Sequence, residues 1–333
     1  MSRNSHRFPI PDLGVVSLAI AATGLLSGLF LAFHYAPTLD AAHPSLLHLE
    51  THVVLGAMLR GIHHWCGTVA LVLAALHGLR LWSRAGYLPP RRRLWVLGCG
   101  IAFVLLGFAY TGYLLPGDER AYTGLGVMES VADSTPWIGS QVSAILIGGD
   151  TISSATLTRI YAVHVFVLPV LLVLLVAAYA RQWRRVGPLV TEPNGALSRP
   201  LLLAAVAAAL LLTVVLAALA PPVLGPTADP TGAGAPDARP EWFFLWVNQL
   251  LRWWPGSPFL IAGVLPAAIA LLIVLLPWAH RATARRVVVV FGLLILGSIL
   301  GLTGVAVGTA PDNEPGPEPE AIEAPGAEEV EAR

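Results

Sequence analysis

Apolar residues in this chain come in long blocks, neither as the one-sided stripe of an amphipathic helix nor as the alternation of a half-buried strand. Seven blocks, near 13–35, 53–82, 94–115, 157–180, 200–220, 258–279 and 287–309, are each long enough to cross a hydrocarbon core about 30 Å thick, which takes about twenty helical residues. The period-two pattern of a membrane-spanning barrel is missing. The blocks predict an all-α, polytopic membrane protein whose backbone polar groups are satisfied within each helix.

Small and polar residues inside the blocks repeat at one interval. His63 and His77 stand fourteen residues apart in the second block, Gly14 and Gly28 in the first, Gly98 and Gly112 in the third. Fourteen helical residues advance about 21 Å and return to within about 40° of the same face. Two imidazoles thus lie at two depths, and a flat porphyrin could lie against each missing side chain. The fourth block offers His164, but fourteen residues on is Ala178 and fifteen on is Tyr179, so a fourth imidazole is absent.

Composition agrees with the blocks: 56% of the 333 residues are hydrophobic, 12% are charged, and the mean hydropathy is +0.70. The net charge of zero conceals a sorting along the chain. Arg3 and Arg7, Arg84 with Arg91 to Arg93, Arg181 with Arg184, Arg185 and Arg199, and Arg281 with Arg285 and Arg286 fall in alternate gaps between blocks. Those gaps are cytoplasmic by the positive-inside tendency. Asp118, Glu119, Asp133, Asp150, Asp229 and Glu241 fall in the opposite gaps, so the N-terminus is expected inside and the C-terminus outside a bacterial inner membrane. All twenty basic residues being arginine fits a GC-rich bacterial genome.

No cleaved signal peptide is evident, because Met1 to Arg7 leads straight into a full-length span. Residues 311–333 are rich in Pro, Glu and Ala and read as a disordered acidic tail outside. Cys66 and Cys99 sit in different spans at opposite depths, which argues against a disulfide, and neither belongs to a haem-attachment signal. Nothing resembles a nucleophile elbow, a phosphate-cradling loop or a nucleic-acid-binding surface.

The ordered set Gly14, Gly28, His63, His77, Gly98, Gly112 and His164 resembles cytochrome b of the quinol:cytochrome c oxidoreductases. Local motifs continue the resemblance: Gly28-Leu-Phe-Leu-Ala-Phe-His-Tyr35, Arg60-Gly-Ile-His-His-Trp65, Thr111-Gly-Tyr-Leu-Leu-Pro116, Pro136-Trp-Ile-Gly139, Ala155-Thr-Leu-Thr-Arg159, and Pro240-Glu-Trp-Phe243, which is similar to the family's Pro-Glu-Trp-Tyr. It implies a four-helix haem-binding unit over 1–190, a three-helix unit with a quinol-site motif over 191–310, and the tail over 311–333. With three later spans the chain resembles the photosynthetic-type four-plus-three arrangement in one polypeptide.

The resemblance implies that His63 and His164 ligate one b-type haem and that His77 belongs to a second. Arg60 and Arg80, each one helical turn from a ligand position, would pair haem propionates. Tyr179 falls where the family has its fourth ligand. The second centre then has three possible forms: His77 alone, His77 with a Tyr179 phenolate as catalase ligates its iron, or no haem. His64, at a position often basic in the family, is assigned local polar contact.

Glu241 would accept a proton from quinol and release it outside, within a pocket that includes Val127, Pro136, Gly139, Pro240, Trp242 and Phe243. Phe243 stands in place of the family's tyrosine and Gly117 in place of its tryptophan after Pro116. Asp12 and Arg184 are candidates for a quinone-reducing pocket on the cytoplasmic side. His43, His48 and His52 would make an incomplete surface metal site. Implied partners are quinol or quinone, a Rieske-type iron-sulfur protein, a c-type cytochrome and a second copy of the chain. Two rival roles keep the fold: a membrane anchor and electron conduit for another outer-face oxidoreductase, and a haem-poor structural subunit.

Overall fold

The computed structural model describes residues 12–187, 199–229, 239–279 and 284–308; the arginines at 3 and 7 and the acidic segment 311–333 lie outside them. The regular elements among the described residues are α1 (Leu13–Ala32), α2 (Ala42–His52), α3 (Gly56–Ser83), α4 (Arg92–Tyr113), α5 (Glu119–Asp133), α6 (Gly139–Ile147), α7 (Ser154–Ala162), α8 (Leu168–Val186), α9 (Arg199–Leu219), α10 (Leu245–Trp253), α11 (Leu265–Ala279) and α12 (Ala284–Gly308). A π-helical turn, Val163–Val167, joins α7 to α8, and another, Phe259–Val264, leads into α11.

Among the described residues, six helical stretches are long and apolar enough to cross a membrane: Leu13–Ala32, Gly56–Ser83, Arg92–Tyr113, Ser154–Val186, Arg199–Leu219 and Phe259–Trp278. They coincide with six of the seven apolar blocks. The seventh block falls in α12, which includes the apolar stretch Gly292–Gly308.

Lipid gives apolar side chains no reason to leave the helix exterior, so membrane helices associate through close packing of small residues and interhelical hydrogen bonds. Both are present. α1 lies along α3, α9 covers α3, and α4 packs on α3 and α8. A Cβ on Gly61 would stand 3.0 Å from the Ala217 Cβ, and one on Gly24 3.1 Å from the Cys66 Cβ. The Ser17 hydroxyl donates to the Ala70 carbonyl across α1 and α3 at 2.8 Å. Ile20, Cys66, Val69, Ala70, Ile101, Val104, Leu105 and Leu172 form the core at the join, while Leu26, Leu29, Val173 and Leu211 face outward.

The short helices α2, α5, α6 and α10 all lie between spans at one end, where a second cluster includes Ala42, Tyr113, Leu114, Leu125, Met128, Ile147 and Leu157. Asp118 fastens this end: one oxygen caps Ala121 N at 2.8 Å, the other accepts from Gly225 N at 3.2 Å. The backbone pairs Glu119 N with Pro226 O and Ala228 N with Gly117 O. Gly117 has φ +70°, and a Cβ there would lie 2.9 Å from the Ala42 Cβ and 3.1 Å from His43 N. Glycine suits this position, because α2 occupies the space a side chain would need.

Candidate functional site

His63 on α3 and His164 in the π turn face each other with ring centres 6.0 Å apart. Each ring presses on a glycine of the neighbouring helix. A Cβ on Gly28 would stand 2.7 Å from His63 Cε1, and one on Gly112 3.1 Å from His164 Cε1. Backbone and hydroxyl groups then fix the tautomers. His63 Nδ1 donates to the Gly24 carbonyl at 2.9 Å. His164 Nδ1 lies 2.8 Å from the Thr111 hydroxyl, whose own proton goes to the Gly107 carbonyl at 2.7 Å, so the imidazole is the donor. Both Nε2 atoms are left as acceptors for a metal, the arrangement by which an outer hydrogen bond orients a ligating histidine. A ring separation near 6 Å suits one metal between them, since an imidazole–metal bond is about 2 Å long. The residues fit a haem held by two histidines.

The other end of the bundle repeats the geometry with one change. A Cβ on Gly14 would lie 3.0 Å from His77 Nε2, and one on Gly98 would lie 3.8 Å from Tyr179 Cε2. Tyr179 therefore sits across from Gly98 as His164 sits across from Gly112. The π turn explains the fifteen-residue interval, because a π turn holds an extra residue and advances the following face by one position. His77 Nδ1 is buried without a hydrogen bond and stands 3.6 Å from Asp12 Oδ1. Asp12 also caps α1 through Gly14 N at 3.0 Å. Arg91, one of the arginines between the second and third apolar blocks, is buried here, donates to the Gly187 carbonyl at 2.6 Å and lies 5.0 Å over the Trp183 ring. Arg184 is exposed. The glycine cradle of Gly14 and Gly98 fits a second haem on His77.

Arg60 is buried and ion-paired to Glu50 of α2, and it donates to the Pro222 carbonyl at 2.9 Å. It thus ties α2 and the segment after α9 to the N-terminal end of α3. His43 spends its ring on loop contacts, 2.8 Å from the Gly225 carbonyl and 3.1 Å from the Thr227 hydroxyl. His48 and His52 stack at 4.8 Å on exposed α2. Among the described residues no group of three His, Cys, Asp or Glu is placed to hold a metal ion.

Glu241 precedes the 3-10 turn Trp242–Phe244 and is ion-paired to Arg120 of α5. Phe244 packs on Tyr110 with ring centres 5.2 Å apart, and Phe243 lies 4.9 Å from Phe244. Pro240 is half-buried and Trp242 is 43% exposed. Val127 and Pro136 are exposed, and Gly139 is buried at the start of α6, in or next to the short helices α5 and α6. A Cβ on Gly139 would run into the Asp133 carbonyl. Arg120 and Thr111 are the functional neighbours that spacing alone did not reveal, since a lone arginine or threonine carries no periodic signal.

A sequence profile described as Cytochrome b/b6/petB matches residues 6–185. The menaquinol:cytochrome c reductase cytochrome b subunit of Bacillus subtilis (strain 168) is 39% identical over 175 residues, 52% of this chain and 78% of that protein. Cytochrome b6 of Synechococcus sp. (strain RCC307) is 32% identical over 175 residues, 53% of this chain and 80% of that protein. Among solved structures, a chain of "Hyperthermophilic respiratory Complex III" superposes with a TM-score of 0.73 at 24% identity, over 90% of this chain and 85% of that one. This last likeness extends the shared fold beyond residue 185.

Proposed function

The chain belongs to the cytochrome b/b6 family, and on that premise we propose that it is the membrane core of a quinol-oxidising, cytochrome c-reducing complex, with one regular and one altered haem site. The observation that carries the reading is the His63/His164 pair, with two free Nε2 atoms, two fixed Nδ1 protons and a glycine behind each ring. Between two imidazoles a b-type haem would supply one-electron transfer without an open position for small-molecule chemistry. His63 and His164 would hold it, with Gly24 and Thr111 orienting them and Gly28 and Gly112 leaving the space.

Glu241 is the proton acceptor. It lies at the outer end, in a wall of aromatic rings that excludes water from one side, and its carboxylate takes the proton of a quinol hydroxyl. Val127, Pro136, Gly139, Pro240, Trp242 and Phe243 bound the pocket. At the cytoplasmic end His77 is, among the described residues, the imidazole that would hold a second haem, with Arg80 one turn away for a propionate and Tyr179 opposite, which would leave that iron high-spin or Tyr179-ligated. The haem unit spans 1–190 and the quinol-motif unit 191–310. The protein sits in a bacterial inner membrane with its N-terminus inside, beside an iron-sulfur protein and a c-type cytochrome, as a homodimer.

Tyr179 also supports a second reading. If the inner centre does not relay electrons, the chain is a conduit from the quinone pool to an outer-face oxidoreductase without a full Q cycle.

The test is reduction of the b-type absorbance in purified complex by a menaquinol analogue. The wild type is expected to be reduced by quinol, and E241Q to be slowed about a hundredfold while dithionite still reduces it fully. Unchanged quinol reduction in E241Q contradicts the assignment of Glu241.

A further inference from the structure

The Glu241–Arg120 ion pair has a direction. The Glu241 side chain is 16% exposed and the Arg120 side chain 44%, so the pair runs from the aromatic wall to outer water. Arg120 is held in place on several sides. Its guanidinium lies 5.4 Å over the Tyr113 ring, and its carbonyl accepts the Tyr113 hydroxyl at 2.9 Å. It stands in the first turn of α5, which Asp118 and the 225–228 segment fasten. The charged and titratable groups around the pair are Tyr113 and Tyr110 from α4, His64 from α3 with Arg60 beside it, and Asp118 at the N-cap of α5. Arg120 is thus the cation that contacts the carboxylate directly.

We propose that Arg120 is a positioning residue that docks the ionised Glu241 carboxylate at the water-facing end of the pocket and so favours proton release to the outside. The inference rests on the reading of Glu241 as proton acceptor. In the step concerned, a quinol O–H bond breaks and an O–H bond forms on a Glu241 oxygen, leaving a quinol anion and a neutral acid. The neutral acid has no charge for the guanidinium to hold. When the proton passes to outer water, the carboxylate regains its charge and returns to Arg120. No electron moves in this exchange.

The assembled complex, assayed with a menaquinol analogue, tests this with R120Q, R120M, R120K, E241Q and R120Q/E241Q. Loss of the guanidinium leaves the carboxylate undocked and lowers kcat about threefold, the scale of a partly exposed ion pair. R120M, which keeps an aliphatic stem over Tyr113, gives the same loss as R120Q. KM stays within about twofold, R120K recovers most of the rate, and R120Q adds nothing in the E241Q background. An equal loss in both backgrounds, an unchanged kcat in R120Q, or a raised KM at constant kcat overturns the proposal and leaves Glu241 as proton acceptor. If E241Q alone keeps the wild-type rate, the Glu241 reading fails and the docking role goes with it.

Discussion

Gly28→Ala is the sharpest perturbation of the outer haem site. The added Cβ would stand 2.7 Å from His63 Cε1, about 0.7 Å inside the ordinary contact limit of 3.4 Å. The ring must retreat by that distance, which would stretch its 2.9 Å bond to the Gly24 carbonyl past the range of a hydrogen bond. Overpacking costs about 1–3 kcal/mol and an unsatisfied buried donor about 1–3 kcal/mol. Taking these as partly overlapping, outer-haem retention weakens by about 2–4 kcal/mol, roughly thirtyfold to a thousandfold. The assay is haem b per polypeptide and the reduced-minus-oxidised spectrum of purified complex, followed on warming. The same distances rank the other positions: Gly14 at 3.0 Å and Gly112 at 3.1 Å are intermediate, and Gly98 at 3.8 Å tolerates alanine. Gly67, in the same helix as His63 but with nothing within 4 Å of its Cβ position, is the control and stays neutral. A G28A protein with a wild-type spectrum and haem content, or a G67A protein that loses haem, refutes the reasoning.

Three further outcomes are expected. Thr111→Val removes the acceptor of His164 Nδ1 and weakens haem retention about tenfold to a hundredfold, whereas Thr111→Ser keeps it; equal retention in both variants counts against the tautomer assignment. Tyr179→His places a second imidazole across Gly98 and converts the inner iron to low spin, read in the electron paramagnetic resonance spectrum; a persistent high-spin signal shows that Tyr179 does not face that iron. Glu50→Ala leaves the buried Arg60 unpaired and lowers the stability of the outer layer by about 3 kcal/mol, seen as an earlier melting transition in detergent; an unchanged transition refutes the role given to the pair.

The membrane fold was legible because each span must satisfy its own backbone and show apolar side chains to lipid, which leaves long blocks in the sequence. The fourteen-residue interval was legible because helix geometry is regular through α1, α3 and α4. At the fourth span the interval alone did not choose between Ala178 and Tyr179, because the π turn at Val163–Val167 inserts a residue; the family resemblance pointed to Tyr179, and Tyr179 is the residue that lies across from Gly98. The outer layer was less legible still. α2, α5, α6 and α10 are short, and their placement depends on long-range contacts such as Asp118 with Gly225. The same is true of Arg60, whose partners Glu50 and Pro222 come from either side of it in the chain, and of Arg120, which meets Glu241 across 121 residues.

The central claim, one regular bis-histidine centre and one altered centre, is tested most directly by the number and spin state of the irons in the purified complex. Haem quantitation per polypeptide with low-temperature electron paramagnetic resonance is expected to show two b-type haems, one low-spin and one high-spin. Two low-spin haems, or no low-spin haem at all, would contradict it.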